Sequence, residues 1–195
     1  VVKDTGAVIS VDTYKSDTAK EALNAGAAIV NDISGLKGDA KMAEVISDAD
    51  AAVVVMHMQG TPQNMQDNPQ YEEVVEDIIC DLKESISIAK IAGIKENKII
   101  IDPGLGFGKT LNHNLEIIQR LKEFKTLGYP ILIGASRKSM IGNVLNLPVE
   151  ERVEGSLAIA AATAMNGASV FRVHDVKETK RVLQMIDAIK NCCKE

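Results

Sequence analysis

The sequence predicts an α/β fold with a parallel sheet, and more narrowly a TIM (β/α)8 barrel present in part, with about six βα units. Three observations carry this. Short apolar runs alternate with helical patterns six times along the chain. Each run is apolar at nearly every residue, as expected for parallel strands covered on both faces. Each run also ends in polar residues: Asp12, Asn31, His57, Asp102, the Ser136-Arg137-Lys138 group, and Arg172 with His174. In a barrel all strand ends open on one mouth, whereas an open doubly wound sheet would spread them along an edge. A barrel needs eight strands, so two units are expected to be missing, from the N-terminus. The first residue, Val1, is neither an initiator Met nor part of a polar lead-in, as in a fragment.

The first strand covers residues 7–11 and ends at Asp12. A helix over 16–24 follows, with Ser16 or Asp17 as cap and Gly26 as stop. The second apolar run, 28–30, ends at Asn31-Asp32, and a helical pattern covers 39–48. The third strand, 52–56, ends in His57 and leads into a polar loop with Gly60, Pro62 and Pro69. Val74, Ile78, Leu82, Ile86 and Ala89 then fall on one face of a long helix that Gly93 stops. The fourth strand is 98–101. A helix begins near Asn112, marked by Leu115, Ile118 and Leu121, and Gly128 and Pro130 close it. The fifth strand, 131–134, is followed by a loop over 135–148 and a helix over 151–165. A sixth strand, 169–173, and a helix from 175 to about 190 complete a single domain, 1–195, without linker or low-complexity segment.

Composition excludes several classes. The 195 residues are 46% apolar and 25% charged, which is ordinary for one globular domain. Aromatics are only 3%, so Ile, Val, Leu, Ala and Met must build the core. A net charge of −5 argues against a sequence-independent grip on nucleic acid. The longest apolar stretch, 157–165, is too short to span a bilayer, and neither membrane partner nor secretory leader is expected. Cys80, Cys192 and Cys193 are odd in number and lack metal-ligand spacing; they read as reduced thiols of a cytoplasmic protein.

The richest stretch is Asp102-Pro103-Gly104-Leu105-Gly106-Phe107-Gly108-Lys109. Strand, glycine loop and helix is the layout of a ligand-binding βα loop, in which glycines let backbone N–H groups approach a ligand. A tight turn rich in glycine is the competing reading, and Gly-Lys-Thr lacks the Walker spacing. Asp12 and Asp102 fit a metal pair, a catalytic acid/base pair, or acceptors for a cyclic, guanidine-like ligand. Asn31 favours the last, since its amide offers a donor and an acceptor to one heterocycle edge. Asp12 or Asn31 alone would more often be a helix cap. Arg172 and His174 share a face of an extended tripeptide, before a helix whose N-terminal N–H groups favour an anion; phosphate or pyrophosphate fits them. Ser136-Arg137-Lys138-Ser139 sets two cations between hydroxyls, either to donate to a ligand or as a solvated basic turn. His57 reads as a packed strand-end histidine, His113 as a solvent-facing loop residue, and Met56 and Met58 as core or pocket wall.

These motifs resemble, in order and over the whole chain, the dihydropteroate synthase family. They are Ser10-Val11-Asp12-Thr13, Asn31-Asp32-Ile33-Ser34-Gly35, Met56-His57-Met58-Gln59-Gly60, the loop from Asp102 to Lys109, Ser136-Arg137-Lys138-Ser139-Met140-Ile141-Gly142 and Arg172-Val173-His174-Asp175-Val176. The resemblance implies a TIM barrel that joins 6-hydroxymethyl-7,8-dihydropterin diphosphate to p-aminobenzoate, giving 7,8-dihydropteroate and pyrophosphate in folate synthesis. It further implies Mg2+, competition by sulfonamides, and a homodimer when intact. Matched by motif, Asp12, Asn31, Asp102 and Lys138 bind the pterin, and Met56 and Gly134 border it. Arg172 flanks the pterin and holds diphosphate with His174; Phe107, Lys138 and Ser139 border p-aminobenzoate; Lys138, Arg172 and His174 are the implied catalytic groups. The family's opening strand and loop, with an Asn and an Asp-Ser-Phe stretch near diphosphate and metal, has no match before Asp12, so the metal site is expected in that missing loop. Two other readings are a pterin domain of a corrinoid-linked methyltransferase, which lacks the Ser-Arg-Lys loop and the Arg-x-His end, and a non-catalytic remnant.

The purified 195-residue chain is therefore expected to turn over little or no substrate. Loss of leaving-group stabilisation commonly costs a factor of about 10² to 10³ per contact. Pyrophosphate release from dihydropterin diphosphate and p-aminobenzoate is the assay; rates near those of an intact synthase would contradict the account of the missing units.

Overall fold

The computed structural model describes residues 6–192; Val1 and Cys193 lie outside them. Six strands are present: β1 (Ser10–Asp12), β2 (Ile29–Asp32), β3 (Ala52–Met56), β4 (Ile99–Asp102), β5 (Leu132–Ile133) and β6 (Val170–Phe171). The α-helices are α1 (Ser16–Asn24), α2 (Met42–Asp48), α3 (Val74–Ile91), α4 (Leu111–Gln119), α5 (Ser139–Leu145), α6 (Val153–Met165) and α7 (Val176–Asn191). β1 to β4 form a parallel sheet in sequence order, and β5 pairs with β6 in parallel. A parallel bridge between Ile101 and Ile131 joins the two sets, so the six strands follow one another as a single wall.

The wall is curved. Laid flat, β1 and β6 would stand five spacings of about 4.8 Å apart, roughly 24 Å, well beyond the reach of one side chain. Yet Arg172, just after β6, puts Nη1 3.7 Å from Asp12 Oδ1 at the end of β1. The curvature is that of a barrel wall, which decides between the two parallel architectures.

Side-chain alternation divides the strands into two layers. Val30, Val53, Val55, Ile99, Ile101, Ile131 and Ile133 belong to the apolar core under the helices. That core takes Ala19 from α1, Met42 and Ile46 from α2, and Ile117 from α4. On α3 the expected stripe of Val74, Ile78, Leu82, Ile86 and Ala89 is buried throughout. The in-between strand residues, Asn31, Val54, Met56, Ile100, Asp102 and Leu132, face the other way, into the barrel. Register keeps Asp12, Asn31, Val54 and Ile100 at one level and Met56 and Asp102 at the next.

Several expectations change. The segment 135–148 is not all loop, because Ser139–Leu145 forms α5 and ends in a left-handed Asn146. Ser136-Arg137-Lys138 masks this helix in the sequence, since the polar group reads as a continuing loop. The face of α4 is shifted: Leu115 is 42% exposed, while Asn114, Ile117, Leu121 and Phe124 go inward. After α4 a 3-10 segment, Leu121–Leu127, carries the buried stripe on at a spacing of three, through Leu121 and Phe124. His113 is not in a loop. It is in the first turn of α4 and completes a capping box with Thr110, edge-on to Tyr71. The start of the expected second helix unwinds, because Asp39 accepts N–H bonds from Ser16 and Lys41 instead of entering α2. The N-caps of α1 and α2 are Lys15 and Lys41, so neither Asp12 nor Asn31 caps a helix.

Candidate functional site

The polar ends of the strands meet inside the mouth. Asn31 and Asp102 are 2% and 1% exposed, whereas Asp12, on the edge strand, is open to solvent on one side. Asp102 Oδ1 accepts the Gly104 N–H at 2.7 Å, and Oδ2 lies 3.7 Å from Arg172 Nη2. Arg172 thus stands between the two carboxylates at ion-pair distances too long for hydrogen bonds. Gly134 makes room for it: a Cβ there would sit 2.9 Å from Arg172 Nη2. Among the described residues, Asn31 Nδ2, Asn31 Oδ1 and Arg172 Nη1 are buried without a hydrogen-bond partner. Leaving such atoms unpaired costs about 1–3 kcal/mol each. A buried amide with both its donor and its acceptor unused, on the inner face that also carries Asp102, can pair with one edge of a polar, planar heterocycle.

The glycine loop after β4 is seated on the end of β3. His57 N donates to the Asp102 carbonyl at 3.0 Å, and a Cβ on Gly104 (φ 69) would lie 1.9 Å from the His57 carbonyl oxygen. Only glycine permits that approach and that backbone angle together. Tyr71 Oη donates to the Gly108 carbonyl at 2.7 Å, and Gly106 N donates to Asn114 Oδ1 at 2.7 Å. Lys109, 3% exposed, reaches back under the loop to the Gly104 and Phe107 carbonyls and to His57 Nδ1, each at 2.9 Å. Reading the sequence by strand ends passed over Lys109 and Asn114; the signal available was a lysine and a helix amide flanking a glycine loop. His57 is, as expected, a packed strand-end histidine. Asp32, next to Asn31, is fully buried and spends its carboxylate on Ser34 and on the Leu36 N–H, so it shapes the loop after β2.

Lys138 leaves β5 and crosses to the glycine loop. Its Nζ donates to the Leu105 carbonyl and lies 4.3 Å from the centroid of the Phe107 ring, a cation–π contact. Ser139, the first residue of α5, is exposed. Arg137 does not reach the site as a ligand group. It adopts a left-handed backbone (φ 58), and its guanidinium binds both oxygens of Asp175, at 2.5 and 3.0 Å, tying the loop after β5 to the start of α7. His174 is held on Ser136, whose Oγ lies 3.2 Å from His174 N and 3.0 Å from Nδ1. Met56 is buried at the level of Asp102, beneath Gly104.

The charges follow from burial. Loss of water pushes the Asp102 carboxyl up, opposed by the Gly104 N–H and by the positive charges of Arg172, Lys138 and Lys109. Burial pushes Lys138 down to about 8, with Asp102 opposing and Arg172 adding to the fall. It pushes Lys109 down to about 7 and, with the Lys109 charge, His57 down to about 2. Among the described residues no cluster of three or more His, Cys, Asp or Glu could hold a metal ion. Asp102 is committed to Gly104 and Arg172, and Asp12 stands alone on the edge, so the two acids do not form a metal pair and Mg2+ does not fit these residues by themselves.

Residues 1–174 match the family model described as pterin binding enzyme. The chain is 50% identical over 182 residues to a dihydropteroate synthase of Clostridium beijerinckii, covering 93% of this chain and 65% of that protein, so it spans about two thirds of that relative's length. Its fold superposes on a solved dihydropteroate synthase of Clostridium difficile, studied in the presence of pteroic acid, with a TM-score of 0.91 at 44% identity, covering 96% of this chain and 69% of the other. The dihydropteroate synthase of Thermus thermophilus in complex with 4-aminobenzoate gives a TM-score of 0.92 at 38% identity, covering 96% and 73%. No helix among the described residues is long and apolar enough to cross a membrane.

Gly104→Ala and Gly128→Ala should separate the seat of the loop from the cost of a left-handed backbone. Both glycines have positive φ, but a Cβ at Gly128 meets nothing within 4 Å. Gly128→Ala is expected to cost about 1–2 kcal/mol from backbone strain alone. Gly104→Ala should cost clearly more, since it forces the loop off β3. Urea unfolding of the two variants checks this; equal losses would mean the loop is not held at His57.

Proposed function

Because the chain belongs to the pterin-binding enzyme family, we propose that it is part of a dihydropteroate synthase. The reaction is condensation of 6-hydroxymethyl-7,8-dihydropterin diphosphate with p-aminobenzoate, giving 7,8-dihydropteroate and pyrophosphate. The observation that carries the reading is the unpaired Asn31 amide, buried on the inner face level with Asp12 and one level below Asp102. A pterin edge presents N–H donors to carboxylates and a donor–acceptor pair to an amide. The similar proteins solved with pteroic acid and with 4-aminobenzoate support both halves of the substrate pair.

In this reading Asp12, Asn31 and Asp102 take the polar rim of the pterin, with Met56 and Gly134 at its faces and Lys138 donating to it. Arg172 lies along the ring and, with His174 anchored on Ser136, meets the diphosphate. Phe107, the Lys138 stem and Ser139 border p-aminobenzoate. The attacking aniline nitrogen is neutral at pH 7 and needs no strong base, so the barrier lies in breaking the carbon–oxygen bond to diphosphate. Arg172 carries a fixed positive charge, and Lys138, at about 8, is mostly protonated at neutral pH. Both oppose the charge that develops on the leaving oxygens, while two substrates held in line lower the barrier further. Mg2+ would add charge neutralisation at the diphosphate. The pterin-binding unit is taken to be 1–195, in a cytoplasmic homodimer that sulfonamides inhibit.

Asp102→Asn should abolish pterin binding, because an acceptor becomes a donor facing ligand N–H groups, a mispairing of about 1–3 kcal/mol or more. Calorimetry with a pterin that leaves the affinity unchanged would remove Asp102 from the site. Arg172→Ala should weaken a diphosphate-bearing pterin more than the pterin alcohol. Equal losses for the two ligands would assign Arg172 to the ring or to the fold.

A further inference from the structure

Lys109 is a buried cation that touches neither of the substrate positions proposed above. An ammonium has three N–H donors and no acceptor. Lys109 Nζ has three partners at 2.9 Å: the Gly104 carbonyl, the Phe107 carbonyl and His57 Nδ1. The two carbonyls can only accept, and full use of the ammonium requires the third partner to accept as well. His57 Nδ1 must then be the unprotonated nitrogen, with the ring proton on Nε2. The ring is 5% exposed and stacked obliquely on Tyr71, whose hydroxyl binds the same loop at the Gly108 carbonyl.

The placement of these bonds gives Lys109 a specific task. Gly104 stays next to Asp102 through its own N–H, whatever Lys109 does. Phe107 has no such direct tie to β4: its carbonyl is held by Lys109, its N–H by the Gly104 carbonyl, and its ring lies under Lys138. We infer that Lys109 is a positioning residue that clamps residues 104–107 onto the end of β3 through a fixed Nε2–H tautomer of His57, and so sets the Phe107 wall against which the aromatic amine lies. This rests on the dihydropteroate synthase reading for the identity of the amine, but the clamp itself does not.

The tautomer is read in the ligand-free chain by long-range 15N–1H correlation of the His57 ring at about pH 5.5, below the value of about 7 to which burial brings Lys109 and above that of about 2 for His57, so that Lys109 is the ammonium and the ring is neutral. Nδ1 should show the shift of an unprotonated, hydrogen-bonded nitrogen and Nε2 that of a protonated one. A proton on Nδ1 would overturn the clamp. In Lys109→Met the fixed Nε2–H signature should be lost, and 4-aminobenzoate affinity should fall about tenfold or more while dihydropterin affinity changes much less. Unchanged 4-aminobenzoate affinity, or equal losses for both ligands, would also overturn it. Should the variant fail to fold, the tautomer in the parent chain still decides. Because that measurement needs no ligand, failure of the parent chain to bind either compound counts against the functional reading alone.

Discussion

A carboxylate with 1% exposure has to be hydrogen-bonded and balanced by charge, and the mouth of this barrel wall is arranged around one. Asp102 ends β4 on the inward side. Its own loop supplies an N–H from Gly104, and three cations from three other positions, Arg172, Lys138 and Lys109, offset the loss of water. Each of those cations in turn fixes something else. Arg172 spans from the end of β6 to the end of β1, Lys138 fastens the loop after β5 to Leu105 and Phe107, and Lys109 fastens the glycine loop to β3. Removing the acid would leave buried positive charges facing one another, which is why it cannot be treated as one contact among many.

The curvature of the wall is what lets one arginine serve two strands. Six parallel strands in sequence order give a continuous inner face, and the level of each inward residue follows from register. Asn31 is carried to that face by β2 and left with both amide atoms unpaired. The carboxylates of Asp32 and Asp102 are used in their own loops, on Ser34 and Leu36 and on Gly104. The Asn31 amide is thus left with a free donor and a free acceptor on the inner face, the feature on which the proposed recognition of a pterin rests.

Much of the arrangement was legible in the chain. Apolar runs closed by a polar residue marked the number and direction of the strands, because an element's periodicity and end are local properties; β2 to β5 are largely buried as expected, whereas β1 is exposed at Ser10 and Asp12 and β6 is only half-buried. The stripe on α3 was readable for the same reason, since four turns of one helix repeat a single environment. The resemblance of the Asp102–Lys109, Ser136–Gly142 and Arg172–Val176 motifs to one family agreed with the comparison over 93% of the chain. Less legible were α5, which begins directly after a polar motif, and the inward face of α4, where Asn114 is buried and Leu115 is not.

The sequence by itself determined the strand–helix alternation, the set of polar strand ends and the glycine loop, since each is written in neighbouring residues. Only the tertiary structure decided how those ends are used. Of two cations adjacent in the chain, Arg137 is spent on Asp175 and Lys138 faces Phe107. Of two adjacent polar residues, Asp32 is satisfied within its own loop and Asn31 is not. Lys109, at the end of the glycine loop, is buried against His57 from a different strand end. These outcomes depend on which groups meet across the mouth, and that is set by the curvature of the wall and the close approach that glycine permits, neither of which any one segment contains.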